Sequence, residues 1–90
     1  MSNDDVETKQ ISLERLRTSG VLPGQIYKHF KTGSLYKIVA IGLNEPDLEP
    51  LVHYRAADDE YGIVWTRNLH VFMGRALVDS EFVTRFVQIS

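Results

Sequence analysis

The stretch YKHFKTGSLYKIVAIG, residues 27–42, decides the reading of this chain. It begins with an alternation that places Ile26, Lys28 and Phe30 on one side of an extended backbone and Tyr27 and His29 on the other. KTGS follows as a hairpin turn, with Gly33 where a positive φ is needed. LYKIVAIGL is β-branched and mostly apolar, the pattern of a central strand covered on much of both faces. By this reading Phe30 points to the core while Tyr27 and His29 point outward. Ile38 and Val39 are both buried, and Lys37 reaches the rim along its stem.

Upstream, ISLERLRTSG reads as a short helix over 11–20. Ser12 caps it, Glu14 suits its first turn, Arg15 and Arg17 its last, and Gly20 ends it. Leu13 and Leu16 form its docking face. Residues 1–10 are polar and acid-rich, and are expected to be a flexible tail. Pro23 and Gly24 then turn the chain.

Downstream, NEPDLEP reads as a loop, LVHYRA as the third strand, ADDEYG as an acidic turn and IVWTR as the fourth strand. NLHVFMG fits either a single helical turn or a short strand. RALV and FVTRFVQI form a final pair around DSE. The division is a tail (1–10), a short helix (11–20) and a single β-domain (21–90). Five or six short strands set off by turns predict a mainly β fold, a small antiparallel β-barrel of SH3-like type behind a short N-terminal helix. Closure disposes of exposed edges.

Ninety residues make one domain, which buries about 60–65 % of its unfolded surface. Forty-three per cent apolar against 24 % charged residues fits a globular chain rather than a disordered one. The absence of cysteine removes disulfides, thiolate catalysis and thiolate zinc sites, and fits a reducing cytoplasm, the expected location. No apolar run approaches the roughly 20 residues of a membrane span, and the N-terminus does not resemble a signal peptide, so no membrane partner is expected. A net charge of −2 argues against duplex nucleic acid as a partner.

Catalytic chemistry is missing by type. There is no G-x-S-x-G elbow, no Walker loop and no glycine-rich phosphate fingerprint. The carboxylates cluster in loops, as solvated acids do, whereas a catalytic pair needs burial to shift a pKa. His29, His53 and His70 lack the short spacing of metal ligands. The expectation is a non-enzyme with no cofactor and no metal.

Binding chemistry is present. Tyr27, His29, Tyr54, Arg55, Trp65 and Arg67 combine rings that stack with guanidinium groups that clamp anions. Strand alternation divides them: Arg55 opposes Tyr54, Trp65 and Arg67 share a side, and Trp65 is a strong core candidate by area. The leading expectation is a binding module for another protein, with the two acidic loops steering basic partners. The alternative is a small-ligand, nucleotide-like or regulatory domain working as an oligomer, marked by a concave pocket lined by Tyr and Arg. Self-association through an exposed edge strand such as FVTRFVQI is a third route, so a homo-oligomer is among the expected states.

Residues 27–86 also resemble a family of small bacterial domains of unknown function, numbered 1653. The resemblance rests on Tyr27, Lys28, His29, Phe30, Lys31, Gly33, Leu35 and Tyr36. It continues through Val52, Tyr54, Arg55, Ala56, Tyr61, Gly62, Trp65, Arg67 and Phe72, and ends at Arg85 and Phe86. This chain departs from the family pattern where LNEPDLEP replaces a His-Ser-Glu-Thr stretch and where Asn68 replaces a proline after the arginine. The first twenty residues have no counterpart. The resemblance implies a compact β-domain and implies no activity.

Overall fold

The computed structural model describes residues 3–90, with side chains described from Val6 onward. Helix α1 spans Asn3–Ser19. It begins well before the expected residue 11 and takes in most of the segment expected as a tail; residues 1 and 2 lie outside the described residues. No glycine or proline interrupts 3–19, so nothing stops the helix growing toward the N-terminus. Ser12 therefore sits mid-helix and buried instead of capping. The docking face is Ser12 and Leu16, at i and i+4, while Leu13 stays exposed. Ser19 Oγ donates to the Leu16 carbonyl (2.7 Å) and accepts from the Val21 amide (3.1 Å). Gly20, at φ 77°, turns the chain out of the helix so that Val21 enters the core.

Strands β1 (Ile26–His29), β2 (Leu35–Leu43), β3 (Pro50–Ala56) and β4 (Trp65–Asn68) follow in a meander. A single-turn helix α2 (Leu69–Phe72) comes next, then the hairpin β5 (Arg75–Val78) and β6 (Glu81–Thr84), and finally β7 (Phe86–Gln88). The five-stranded antiparallel sheet has the order β4-β3-β2-β1-β7, which puts β2 at its centre as its apolar sequence requires. β5 and β6 form a separate two-stranded sheet.

A β-bulge in β2 explains a pattern that simple alternation misreads. Register with β3 slips between Ile38 and Ala40, leaving Val39 as the extra residue. Before the bulge Tyr36 and Ile38 face the core; after it the core face passes to Ile41 and Leu43. Ile38 is buried and Val39 is exposed, where both were expected to be buried. The Ile38 amide donates to the Gln25 carbonyl and its carbonyl accepts from the Gly24 amide, both at 2.9 Å. The segment entering β1 is thereby hooked onto the bulge, and Gly24 at φ 93° makes the approach possible.

The core lies on the concave face. Phe72 of α2 and Phe86 of β7 stack at 4.3 Å and 13°. Tyr27 meets Phe72 edge-on at 5.1 Å, and Tyr54 meets Phe86 at 5.4 Å. The face expected for β1 is inverted: Tyr27 is buried, its hydroxyl donating to Gln25 Oε1 (3.0 Å), and His29 packs edge-on against Phe86 (4.9 Å). Phe30, expected in the core, is only half-buried beside His29. Trp65, expected as core, is 52 % exposed because β4 is an edge strand with nothing beyond it.

The sheet curls without closing. Four strand spacings of about 4.8 Å would put its flat edges about 19 Å apart. Instead the Arg67 guanidinium of β4 lies 5.8 Å from the Phe86 ring of β7. The two edges do not pair with each other, so the expected closed barrel is not found. The chain between them is spent on α2, whose Leu69 and Phe72 fill the opening, and on the β5–β6 arm.

Candidate functional site

Register places one end of each sheet strand together. Lys28 pairs with Leu35, Tyr36 with Ala56, Tyr54 with Trp65, and His29 with Phe86. A cleft of about 210 Å³ opens on the concave face at this end. Tyr36, Tyr54 and Phe86 make its apolar floor, Trp65 and Arg67 one wall, and His29 with Thr32 the other. Residues directly opposite across antiparallel strands share a face, which brings side chains far apart in sequence into one concavity.

The polar groups of the cleft are held in place. Arg67 Nε donates to the Tyr54 hydroxyl at 2.8 Å. Tyr54 is itself pinned edge-on to Tyr36 at 5.3 Å, so the guanidinium rests on a buried support. His29 Nδ1 accepts from the Lys31 amide at 3.2 Å, which leaves Nε2 to carry the proton of the neutral ring. Burial first, then the positive charges of Arg67, Arg85 and Lys31, hold the His29 pKa below the ordinary histidine value. The lining contains no carboxylate, so a field that opposes protonation of His29 also attracts an anion.

Of the six residues singled out from the sequence, His29, Tyr54, Trp65 and Arg67 come together here. Tyr27 shares their face but is buried under α2, where burial raises its pKa. Arg55 points to the opposite face, as its alternation with Tyr54 requires, and Nη1 folds back to donate to the Ala56 carbonyl (2.8 Å). Sequence reasoning missed Tyr36 and Phe86 as lining residues. Both belong to the family pattern, which was the available signal for them. A second cavity of about 310 Å³ lies beyond Tyr36, lined by Ser34, Leu35, Ala56, Ala57 and Asp58. It gathers no comparable set of polar side chains.

The histidines stay apart. His53 Nδ1 is 2.9 Å from Thr66 Oγ1, and His70 lies exposed on α2. Among the described residues no three metal-ligating side chains cluster. No described helix is long and apolar enough to cross a membrane.

Comparison with known proteins agrees with this architecture. A crystal structure of a DUF1653 protein from Bordetella bronchiseptica superposes with a TM-score of 0.62 at 22 % identity, over 78 % of this chain and 88 % of that one. At that identity the likeness speaks for the fold. No functionally curated protein matches the chain. The family described as "Protein of unknown function (DUF1653)" matches residues 25–88, from just before β1 to the end of β7. This chain is therefore a member of the DUF1653 family.

Proposed function

We propose that this domain is a non-catalytic binding module whose cleft anchors a single anionic group of a partner protein. The observation that carries the reading is the lining itself: Arg67 and His29 face one aromatic concavity with no acid among them. The arginine supplies a forked donor held by Tyr54, and aromatic rings line the cleft around it. The size supports a side chain or chain terminus, since about 210 Å³ falls below the roughly 300–1,000 Å³ of small-molecule sites. The charge reverses the earlier expectation of a basic partner, because the acidic loops lie outside this lining. The strand order and the helical turn before the last strand support the SH3-like reading of the fold. The lack of cysteine supports a cytoplasmic setting.

The nucleotide-like alternative keeps one observation in its favour: the concave pocket does carry Tyr and Arg together. Trp65 is the chain's one tryptophan and lines the cleft, so its fluorescence separates the two readings. Titration with hexaglutamate is expected to change the emission saturably, while hexalysine leaves it unchanged. Arg67→Ala is expected to weaken the response at least about tenfold. A saturable response to adenosine monophosphate with none to hexaglutamate overturns the protein-partner reading in favour of the nucleotide.

A further inference from the structure

We infer that the β5–β6 arm and the 58–64 loop form a self-complementary surface through which two copies of this chain associate. The arm packs strand on strand and has no substantial packing against any other element. A lone two-stranded hairpin is marginal in water, so an arm of this kind calls for a covering surface. The shape of the molecule agrees. A compact 90-residue chain has a radius of gyration of about 12 Å, and this one measures 14.4 Å.

The exposed face of the arm is apolar with a cation beside it. Leu77 and Phe82 pair directly across the strands and are 65 % and 70 % exposed. Arg75 lies on the same face, 5.8 Å from the Phe82 ring. The 58–64 loop carries the complement. Asp58, Asp59 and Glu60 run into Tyr61, Ile63 and Val64, all three of the latter exposed.

Neither set of charges is used within one copy. Among the described residues the ion pairs are Arg15–Glu49 and Arg17–Glu14, both involving α1. The occupant is a second copy for a geometric reason as well as an electrostatic one. The loop leaves β3 and enters β4 at the same end of the sheet where the arm joins β7 through Arg85. A two-fold axis at that end sets each arm against the other copy's loop, giving two identical contacts at once, the signature of a closed isologous dimer. Each copy then contributes both an arm and a loop, toward the ~800 Å² per partner of a standard interface. Asp79 and Ser80 at the arm's tip have φ of 49° and 69°, the paired positive values of a type I′ turn, so the arm is presented in a defined conformation.

The test is sedimentation equilibrium of the full chain. The wild type is expected at twice the 10.3 kDa chain mass at tens of micromolar. Phe82→Glu is expected to raise the dimer Kd at least about 30-fold while circular dichroism stays native, because the ring is mostly exposed in its own copy. Arg75→Glu and Glu60→Arg are each expected to weaken the dimer about tenfold, and the double variant to recover to within about threefold of wild type. A wild type that remains monomeric at 200 µM overturns the inference. So does a dimer indifferent to Phe82→Glu. A dimer lost with Phe82→Glu but not recovered by the charge exchange overturns the pairing of arm with loop.

Discussion

The molecule contains two hairpins written in similar local chemistry and given opposite surroundings. β1–β2 and β5–β6 both carry β-branched and aromatic residues on strands joined by a tight turn with positive φ, at Gly33 in one and at Asp79 and Ser80 in the other. The first is flanked by β3 and β7, and its Tyr27 and Ile38 are buried. The second has no flanking strand, and its Leu77 and Phe82 stay in solvent. Local sequence makes a hairpin; long-range partners decide whether its apolar face is core or surface. The cleft sits where the embedded system ends, and the arm begins beside it.

The strongest way to break this contrast is to insert one alanine after Ala40. The added residue shifts Ile41 and Leu43 to the solvent face and destroys their pairing with Val52 and Pro50. The loss is expected to exceed the ~5 kcal/mol at the lower end of small-domain stability, so circular dichroism is expected to show an unfolded chain at 25 °C. A folded insertion variant would mean that the register of β2 is not what embeds the first hairpin.

The next comparison sets one phenylalanine against another. Phe86→Ala removes a ring that touches Phe72, Tyr54, Tyr36 and His29, and is expected to cost about 3–5 kcal/mol in denaturant unfolding. Phe82→Ala is expected to cost under about 0.5 kcal/mol, measured at a concentration where the chain is monomeric. Equal costs would erase the distinction between the hairpins.

A smaller effect sharpens it from the other side. Ser80→Gly relieves a positive φ in the arm's turn and is expected to stabilise the arm by up to about 1 kcal/mol. Because the arm is a separate unit, the gain is expected in hydrogen-exchange protection of β5 and β6 and not in that of β2.

The smallest expected effect is a pH dependence with opposite signs for folding and binding. His29 binds its proton less readily in the folded chain than in the unfolded one. Acidification through the ordinary value of about 6.5 therefore protonates the unfolded state first, and stability falls slightly as pH drops. An anion in the cleft favours protonated His29, so its affinity rises over the same interval. Melting curves between pH 5 and 8, with and without hexaglutamate, are expected to diverge toward low pH. His29→Gln is expected to remove the divergence.

Much of this was legible beforehand, and the misreadings share one cause. The central place of β2, the Gly33 turn and the alternation of Tyr54 with Arg55 all follow from local pattern. What local pattern does not carry is which face of a strand meets the rest of the chain. Tyr27 in β1 and Phe30 just after it are both plausible core residues. The choice falls to Tyr27 because Phe72, 45 positions along the chain, arrives on that side. Trp65 has the area of a core residue but occupies an edge strand, which only the strand order reveals. The bulge hides in an unbroken apolar run, where either parity reads equally well. The cleft follows the same logic: its arginine was visible as a residue type, its Tyr54 support only once β3 and β4 were paired.

The most direct test of the account is a pair of nitrogen–proton correlation spectra series on one labelled sample, one with added hexaglutamate and one across a dilution range. The account predicts two separate sets of moving resonances. The peptide is expected to shift His29, Thr32, Trp65 and Arg67, and dilution is expected to shift Leu77, Phe82 and the 58–64 loop. Peptide-induced shifts that fall on the arm and leave Arg67 and Trp65 unmoved would contradict it.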